Sequence, residues 1–182
     1  MSGFRIRPGR PEDLPAIAGL IRGLAEYERL AHAVEFDDAT LGRFLFGPRA
    51  YAETLLAVEE VPGHESGEES GEESGQESGH ESGEAFGLAL FFHNFSTFLG
   101  RPGIYLEDLF VRPEHRGRGA GRALLAALAA LAVERECGRL EWSVLDWNRP
   151  AIDFYERLGA RPNSEWTTYR LAGEALRGLA SM

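Results

Sequence analysis

The sequence predicts a mixed α/β fold, in which helices cover a single sheet and one domain accounts for the whole chain. Its 182 residues are close to the ~150 residues of an average domain. Hydrophobic residues make up 43% of the chain, which is enough to build one core. Strand-like and helix-like hydrophobic periods also alternate along the chain. We therefore expect residues 1–182 to form one domain around a central mixed sheet.

The first half of the chain is expected to supply a strand, two helices and a hairpin. Alternation of apolar residues with arginine over residues 4–7 predicts the first strand. Apolar residues at helical spacing predict a helix over residues 11–30, and an aspartate cap predicts a shorter helix over 38–45. The apolar segments 53–60 and 85–93 are expected to pair as antiparallel strands.

The second half is expected to alternate strands with helices. Apolar segments predict strands, and segments with apolar residues at helical spacing, or with an early proline and a closing glycine, predict helices. The predicted strands are 104–111, 140–145 and 166–171, and the predicted helices are 119–135, 148–158 and 173–180.

Residues 63–84 form an acidic, low-complexity insert between the two hairpin strands. They hold eight Glu and no Arg in tandem G-x-E-S repeats, so most of the net charge of −10 belongs to them. A segment without apolar residues cannot offset its ordering entropy, and we expect it to be disordered. His64 and His80 lie in it, but a flexible loop offers no fixed metal geometry, so no metal site is expected.

The remaining composition excludes several classes of protein. All 19 basic residues are Arg, so Schiff-base and P-loop chemistry that needs Lys is excluded. The body of the chain is nearly neutral, which disfavours a nucleic-acid partner. The single cysteine, Cys137, excludes an intrachain disulfide, and the longest apolar run, 123–133, is too short to span a membrane. We expect a cytoplasmic protein with no membrane partner.

A glycine-rich turn between the predicted strand 104–111 and the helix 119–135 is typical of phosphate binding. Gly117, Gly119 and Gly121 allow close backbone approach, and the helix N-terminus favours an anion. The G-x-G-x-G spacing matches neither the dinucleotide fingerprint nor a Walker motif.

Two adjacent carboxylates, Glu107 and Asp108, interrupt the same strand. Strict alternation places Asp108 on one face with Leu106 and Phe110, and Glu107 on the other face, so the two are not expected to act as a pair. A carboxylate in apolar surroundings has a raised pKa that suits a general base near neutral pH. Each carboxylate could instead simply accept structural hydrogen bonds, and this alternative stays open.

Two further polar residues lie on apolar helix stripes. Tyr155 shares a stripe with Phe154 and Leu158, where a tyrosine is ordinarily a core residue with a satisfied hydroxyl. Glu28 extends the stripe of the first long helix, where a glutamate ordinarily reaches solvent. Neither residue has a catalytic role on its pattern alone.

Taken together, these motifs resemble the GNAT superfamily of N-acetyltransferases. Arg116-Gly-Arg-Gly-Ala-Gly121 matches its R/Q-x-x-G-x-G/A acyl-CoA pyrophosphate loop, and the run 148–160, NRPAIDFYERLGA, matches its later motif. The order of elements also agrees. Within the superfamily, residues 105–111 (YLEDLFV) and 144–148 (VLDWN) resemble the diamine (spermidine/spermine) acetyltransferases and their thialysine-acetylating relatives.

The resemblance implies a mostly antiparallel mixed sheet with helices on both faces and a V-shaped splay between two parallel strands, 104–111 and 140–145. Acetyl-CoA is then the co-substrate, bound in that opening without a metal. The implied cofactor contacts are Leu109, Phe110, Val111, Arg116, Gly117, Arg118, Gly119, Ala120, Gly121, Asn148 and Tyr155.

The resemblance also implies catalytic roles. Tyr155 would protonate the departing thiolate, and Glu107 would take a proton from the acceptor ammonium through water. Glu28, Glu107 and Asp108 would hold a small cationic amine, and the family implies a homodimer. The turn 94–101 lacks the carboxylate that diamine acetyltransferases commonly carry there, so a smaller amine or an amino-acid side chain is as plausible as a polyamine.

Three other interpretations stay open at the level of sequence. A protein or peptide N-acetyltransferase would need an open acceptor groove, whereas the acidic residues favour a compact cation. A silent acyl-CoA-binding module would be expected to lack Tyr155 or Glu107, and both are present. The acidic insert could also bind cations or a basic partner.

Overall fold

A computed structural model describes residues 3–60 and 83–182, and the chain divides into two compact units, residues 1–143 and 144–182. The predicted acidic insert lies outside the described residues, apart from Gly83 and Glu84.

The described part of the first unit contains five strands and three α-helices, and each corresponds to a predicted element. The strands are β1 (Phe4–Pro8), β2 (Glu53–Glu59), β3 (Ala85–Ser96), β4 (Arg101–Val111) and β5 (Leu140–Trp142); the helices are α1 (Leu14–Tyr27), α2 (Asp38–Phe46) and α3 (Ala120–Glu134).

The five strands form one sheet in the order β1-β2-β3-β4-β5. The first four strands pair antiparallel, and β5 pairs parallel to β4. The predicted mixed, mostly antiparallel sheet is therefore confirmed. The parallel pairing joins only Ile104–Leu106 to Leu140–Trp142, so β4 continues to Val111 beyond it. The strand predicted over 140–145 ends at Trp142, at the end of this pairing.

Helices cover both faces of the sheet, as predicted. On one face, Ile17, Leu20 and Leu24 of α1 pack in a core cluster with Leu88 and Phe110 of the sheet. A Cβ added to Gly23 would lie only 3.1 Å from Cε1 of Phe110, so the glycine sets how closely α1 approaches β4. On the other face, α3 contacts all five strands and buries Leu124 and Leu128 completely.

Nearby residues determine where α1 begins and ends. The predicted start at Pro11 forms a 3₁₀ turn, in which the Asp13 carboxylate accepts hydrogen bonds from the Arg10 backbone N–H at 2.8 Å and from both terminal nitrogens of Arg7. The helix proper ends at Tyr27, because Arg29 adopts a positive φ of 61°. Glu28 therefore follows the last helical residue directly.

The alternation predicted for β4 is wrong beyond Leu106. Leu106 lies opposite Phe91 of β3, and Asp108 lies opposite the neighbouring residue Leu90. Glu107 therefore has no partner of its own and is the extra residue of a β-bulge. Leu90 belongs to the core cluster under α1, whereas Phe91 lines a cavity beside α3. Asp108 therefore lies on the α1 face, opposite to Leu106, and not on the same face as predicted.

The second unit contains the two predicted helices, α4 (Arg149–Arg157) and α5 (Gly173–Ala180). The side-chain oxygen of Asn148 accepts from the Ala151 N–H at 3.4 Å at the start of α4, and Gly159, with a φ of 89°, follows its end. The strand predicted over 166–171 is absent from the described structure, and Tyr169 is 93% exposed there. Its β-forming residues have no paired strand, and propensity alone does not form one.

No helix among residues 3–60 and 83–182 is long and apolar enough to span a membrane.

Two apolar positions on α3 test the orientation of this helix. Leu128→Ala is expected to lower the free energy of unfolding by about 3 kcal/mol, because it leaves a cavity under a fully buried side chain. Val133→Ala should change it by less than about 0.5 kcal/mol, since Val133 is 80% exposed. Urea unfolding at neutral pH measures both values, and equal losses would contradict the packing of α3.

Candidate active site

The loop between β4 and α3 adopts a conformation that favours glycine at two positions. Gly117 and Gly119 have φ values of 78° and 88°, in the left-handed region. A Cβ at either position would meet nothing within 4 Å, so the requirement is conformational and not steric. The predicted strand–glycine turn–helix arrangement is therefore present.

The N-terminus of α3 fits an anion. The helix is 15 residues long and begins after Gly119, which has no side chain to cap it. By helix geometry the N–H groups of Ala120, Gly121 and Arg122 have no intrahelical acceptor, and the helix dipole places partial positive charge there. Backbone N–H groups at such a position are suited to the pyrophosphate of a coenzyme.

The two arginine side chains of the loop are held by the protein itself. Nε of Arg116 donates to the carbonyl oxygen of Val111 at 3.1 Å, and its guanidinium lies 4.5 Å from the centre of the Tyr27 ring. Arg118 donates to both carboxylate oxygens of Glu59, at 2.5 and 2.9 Å. Both residues were predicted as coenzyme contacts, and the structure shows their side chains engaged by Val111, Tyr27 and Glu59.

The end of β4 forms a backbone edge. Among the described residues, the parallel pairing with β5 stops at Leu106, and Leu109, Phe110 and Val111 follow the bulge without it. On their other side these residues pair with β3. An extended ligand can therefore add to this edge as a strand does.

Three carboxylates gather beside the bulge. Glu28 and Asp108 are half-buried, and Glu107 is exposed. Burial, together with the negative charges of Glu107 and Glu28, raises the pKa of Asp108 to about 6. Burial also raises the pKa of Glu28. The bulge thus brings together two adjacent carboxylates that strict alternation separates.

The second unit holds the two remaining predicted residues. Asn148 is 6% exposed and caps α4, and Tyr155 is half-buried on the same helix. The Tyr155 ring centre lies 5.4 Å from that of Phe154, and its backbone carbonyl accepts from Leu158 and Ala160 at the helix end. Of the stripe predicted for α4, Phe154 and Tyr155 are half-buried, whereas Leu158 is 41% exposed.

Sequence reasoning missed the residues that hold the loop. Tyr27, which stacks with Arg116, gave one signal, since it extends the α1 stripe three residues beyond Leu24. Glu59 and His115 gave none, because their role depends on the proximity of β2 to a loop that lies more than 50 residues away in sequence.

The fold and the loop define an N-acetyltransferase. A mixed sheet loses its parallel pairing within β4, and a glycine-rich loop leads from that strand into α3. The chain belongs to the acetyltransferase (GNAT) family, whose model matches residues 67–160.

Individual relatives agree with this assignment. The chain is 35% identical to the thialysine N-epsilon-acetyltransferase of Sus scrofa, over 99% of both chains. It is also 35% identical to an L-ornithine N5-acetyltransferase of Arabidopsis thaliana, over 96% of this chain and 87% of the relative. Among solved structures, an integron cassette protein from the mobile metagenome of V. cholerae matches with a TM-score of 0.74 and 25% identity, over 100% of this chain and 99% of that one.

Within residues 3–60 and 83–182, no group of three or more His, Cys, Asp or Glu side chains is arranged to hold a metal ion.

The raised pKa of Asp108 predicts a pH-dependent effect on stability. The pKa rises from an ordinary 3.8 to about 6, so folding favours the neutral acid. Ionisation of Asp108 therefore lowers the free energy of unfolding. The full loss is present above pH 6, and none of it is present below about pH 4. Asp108→Asn should therefore stabilise the protein by about 2 kcal/mol at pH 7.5, with the gain decreasing as the pH falls towards 4.

Urea unfolding at pH 4.5 and pH 7.5 measures this difference. Glu35→Gln, which removes an exposed loop carboxylate, is the matched control and should have the same small effect at both pH values. If Asp108→Asn also had equal effects at both, the carboxyl would not be strained by its surroundings.

Proposed function

We propose that the chain transfers the acetyl group of acetyl-CoA to a primary amine of a small cationic acceptor, such as a diamine or a thialysine-like amino acid. The amine attacks directly while both substrates are bound. The observation that carries the proposal is the group of Glu28, Glu107 and Asp108 beside the end of β4, immediately before the anion-binding loop. The names of the thialysine- and ornithine-acetylating relatives support the same class of acceptor.

The loop and the edge of β4 fit acetyl-CoA, which supplies a thioester that an amine can attack. Gly117 and Gly119 give the loop its left-handed turns, and the backbone N–H groups of residues 120–122 face no intrahelical acceptor. These groups would bind the pyrophosphate, and the backbone of Leu109, Phe110 and Val111 would bind the pantetheine arm as an added strand.

The carboxylates would bind and deprotonate the acceptor. An alkylammonium has a pKa near ~10, and only the free amine attacks a thioester, so a base is required. Glu107 would take this proton through water, and Glu28 and Asp108 would hold the cation. A bound cation would also favour the ionised form of Asp108, whose pKa of about 6 leaves it largely ionised at neutral pH in any case.

The roles of the second unit follow from its match with the family motif. Tyr155 would donate its phenolic proton to the departing thiolate, and Asn148 would hydrogen-bond the pantetheine arm. The proposal therefore treats residues 1–182 as one acetyltransferase domain. The homodimer implied by the family stays a prediction, as does the disorder of the acidic insert.

An acceptor screen tests the proposed function. Acetyl-CoA is offered with spermidine, putrescine, thialysine, ornithine, lysine and a peptide amine, and released thiol is measured. We expect turnover with at least one small cationic amine and little with the peptide. Turnover with the peptide alone would make the chain a peptide acetyltransferase, and binding of CoA without any turnover would make it an acyl-CoA-binding module.

Removal of one hydroxyl tests the role of Tyr155. Tyr155→Phe should lower kcat about 100-fold, because the thiolate then departs without a proton donor, while the KM for acetyl-CoA stays within about twofold. Tyr169→Phe, at a tyrosine that is 93% exposed in the same unit, is the control and should leave both constants unchanged. An unaltered kcat in Tyr155→Phe would exclude this residue as the acid.

Two isosteric variants distinguish the candidate bases. Glu107→Gln should lower kcat about 100-fold at neutral pH, because the amine loses its proton acceptor. Asp108→Asn should mainly raise the KM for the amine, because it removes a negative charge next to the bound cation. Steady-state kinetics over a range of pH measure both effects. A kcat loss in Asp108→Asn alone would assign the base to Asp108.

A further inference from the structure

The residues that surround Arg118 form a compact anchor, which we define as Glu59, His115 and Arg118. Arg118 donates to both oxygens of Glu59, and Nδ1 of His115 lies 3.1 Å from Oε1 of Glu59 and 3.0 Å from Nη1 of Arg118. The side chains of Glu59 and Arg118 are only 31% and 35% exposed. The hydrogen bonds from Arg118 hold the pKa of Glu59 below its ordinary value.

The aromatic ring of Phe86 packs against this anchor. The fully buried ring of Phe86 stacks on His115 with ring centres 4.5 Å apart, and the guanidinium of Arg118 lies 5.2 Å from the centre of the same ring. Phe86 is the extra residue at a second register shift, where the β3 partner of β2 changes from Gly87 to Ala85. The sheet therefore provides both the acid and the platform for the anchor.

The anchor holds the loop at the residue between its two conformationally flexible glycines. Arg118 lies between Gly117 and Gly119, the two residues with left-handed φ values. Glycine loses more conformational entropy on ordering than any other residue, so an unanchored loop of this kind would order only when its ligand binds. A loop that is ordered beforehand binds the same ligand more tightly.

We propose that Glu59 is a positioning residue for the coenzyme loop, which acts by holding Arg118 so that the glycine turns and the α3 N-terminus are ordered before acetyl-CoA binds. The inference rests on the proposed function, since it assumes that this loop binds the coenzyme. It also changes the expected role of Arg118, whose side chain serves to hold the loop rather than to contact phosphate.

If Arg118 instead bound phosphate, Glu59→Gln would change the affinity for the coenzyme in the opposite direction. If Arg118 were a phosphate ligand that Glu59 withholds, Glu59→Gln would release it and tighten coenzyme binding. If Glu59 positions the loop, the same variant weakens binding. We expect a rise of about threefold to fivefold in the CoA dissociation constant, the size of coupling that partly exposed ion pairs show.

The chain offers a matched control at the other end of α3. Glu53, the first residue of β2, accepts from both terminal nitrogens of Arg135 at 2.6 and 2.8 Å, whereas Glu59 at the end of β2 binds Arg118. Glu53→Gln removes an ion pair of the same kind far from the loop. It should shift the melting temperature about as much as Glu59→Gln and leave coenzyme binding unchanged.

The experiment measures CoA binding by calorimetry, and the KM for acetyl-CoA and kcat, for the wild type and four variants. These are Glu59→Gln, Arg118→Gln, the double variant and Glu53→Gln. We expect both single variants to weaken CoA binding alike and the double variant to add nothing further, because the two residues act as one unit. The KM for acetyl-CoA should rise, whereas kcat and the KM for the amine should stay unchanged.

Tighter or unchanged CoA binding in Glu59→Gln would overturn the inference, as would a loss confined to Arg118→Gln. If the wild type itself bound no CoA, the proposed function would fail instead, so the two failures are distinguishable. Should Glu59→Gln fold poorly, Arg118→Gln with the double variant still measures whether the residues act together.

Discussion

Strand β4 loses its parallel partner after Leu106 and gains an extra residue at Glu107, and both halves of the proposed site depend on these two irregularities. A regularly paired strand would have its backbone hydrogen-bonding groups occupied on both sides as far as Val111. The end of the β5 pairing leaves one side of residues 109–111 without a paired strand, although the Val111 carbonyl accepts from Nε of Arg116. This is the edge to which we propose that an extended ligand adds. The bulge turns Asp108 to the α1 face, where Glu28 directly follows the last helical residue. The two irregularities thus lie between the proposed coenzyme site and the proposed amine site.

The electrostatics of the first unit follow the same division. Near the N-terminus of α3 the positive groups are backbone dipoles, and the loop arginines are held by Glu59, Val111 and Tyr27. Near the bulge, no arginine of the described residues forms a comparable ion pair with the carboxylates, and burial and mutual repulsion raise the pKa of Asp108 to about 6. Clustered carboxylates destabilise the fold by repelling one another, and a bound cationic amine would offset this repulsion. Their repulsion therefore favours a cationic acceptor over a neutral one.

The sequence was sufficient to predict the order of elements as far as α4, the mixed sheet and the glycine loop, because hydrophobic period and turn residues are local signals. It could not predict the bulge at Glu107, since a register shift arises from pairing between β3 and β4 and leaves no mark on either strand alone. The alternation rule consequently placed Asp108 on the wrong face. The strand predicted over 166–171 failed for a related reason: β-forming residues became a strand only where another strand paired with them.

The same distinction explains why the side-chain partners of the two loop arginines could not be predicted. Their positions beside glycines are visible in the sequence, but the carboxylate and the aromatic rings that hold them come from distant elements, β2, β3 and α1. With these partners in place, the backbone N–H groups at the start of α3 are the anion donors that the helix geometry itself supplies. In the inference drawn above, Arg118 acts by fixing the backbone geometry of the loop. Coenzyme affinity in this chain should accordingly depend on how rigidly the loop is held as well as on how many charges it carries.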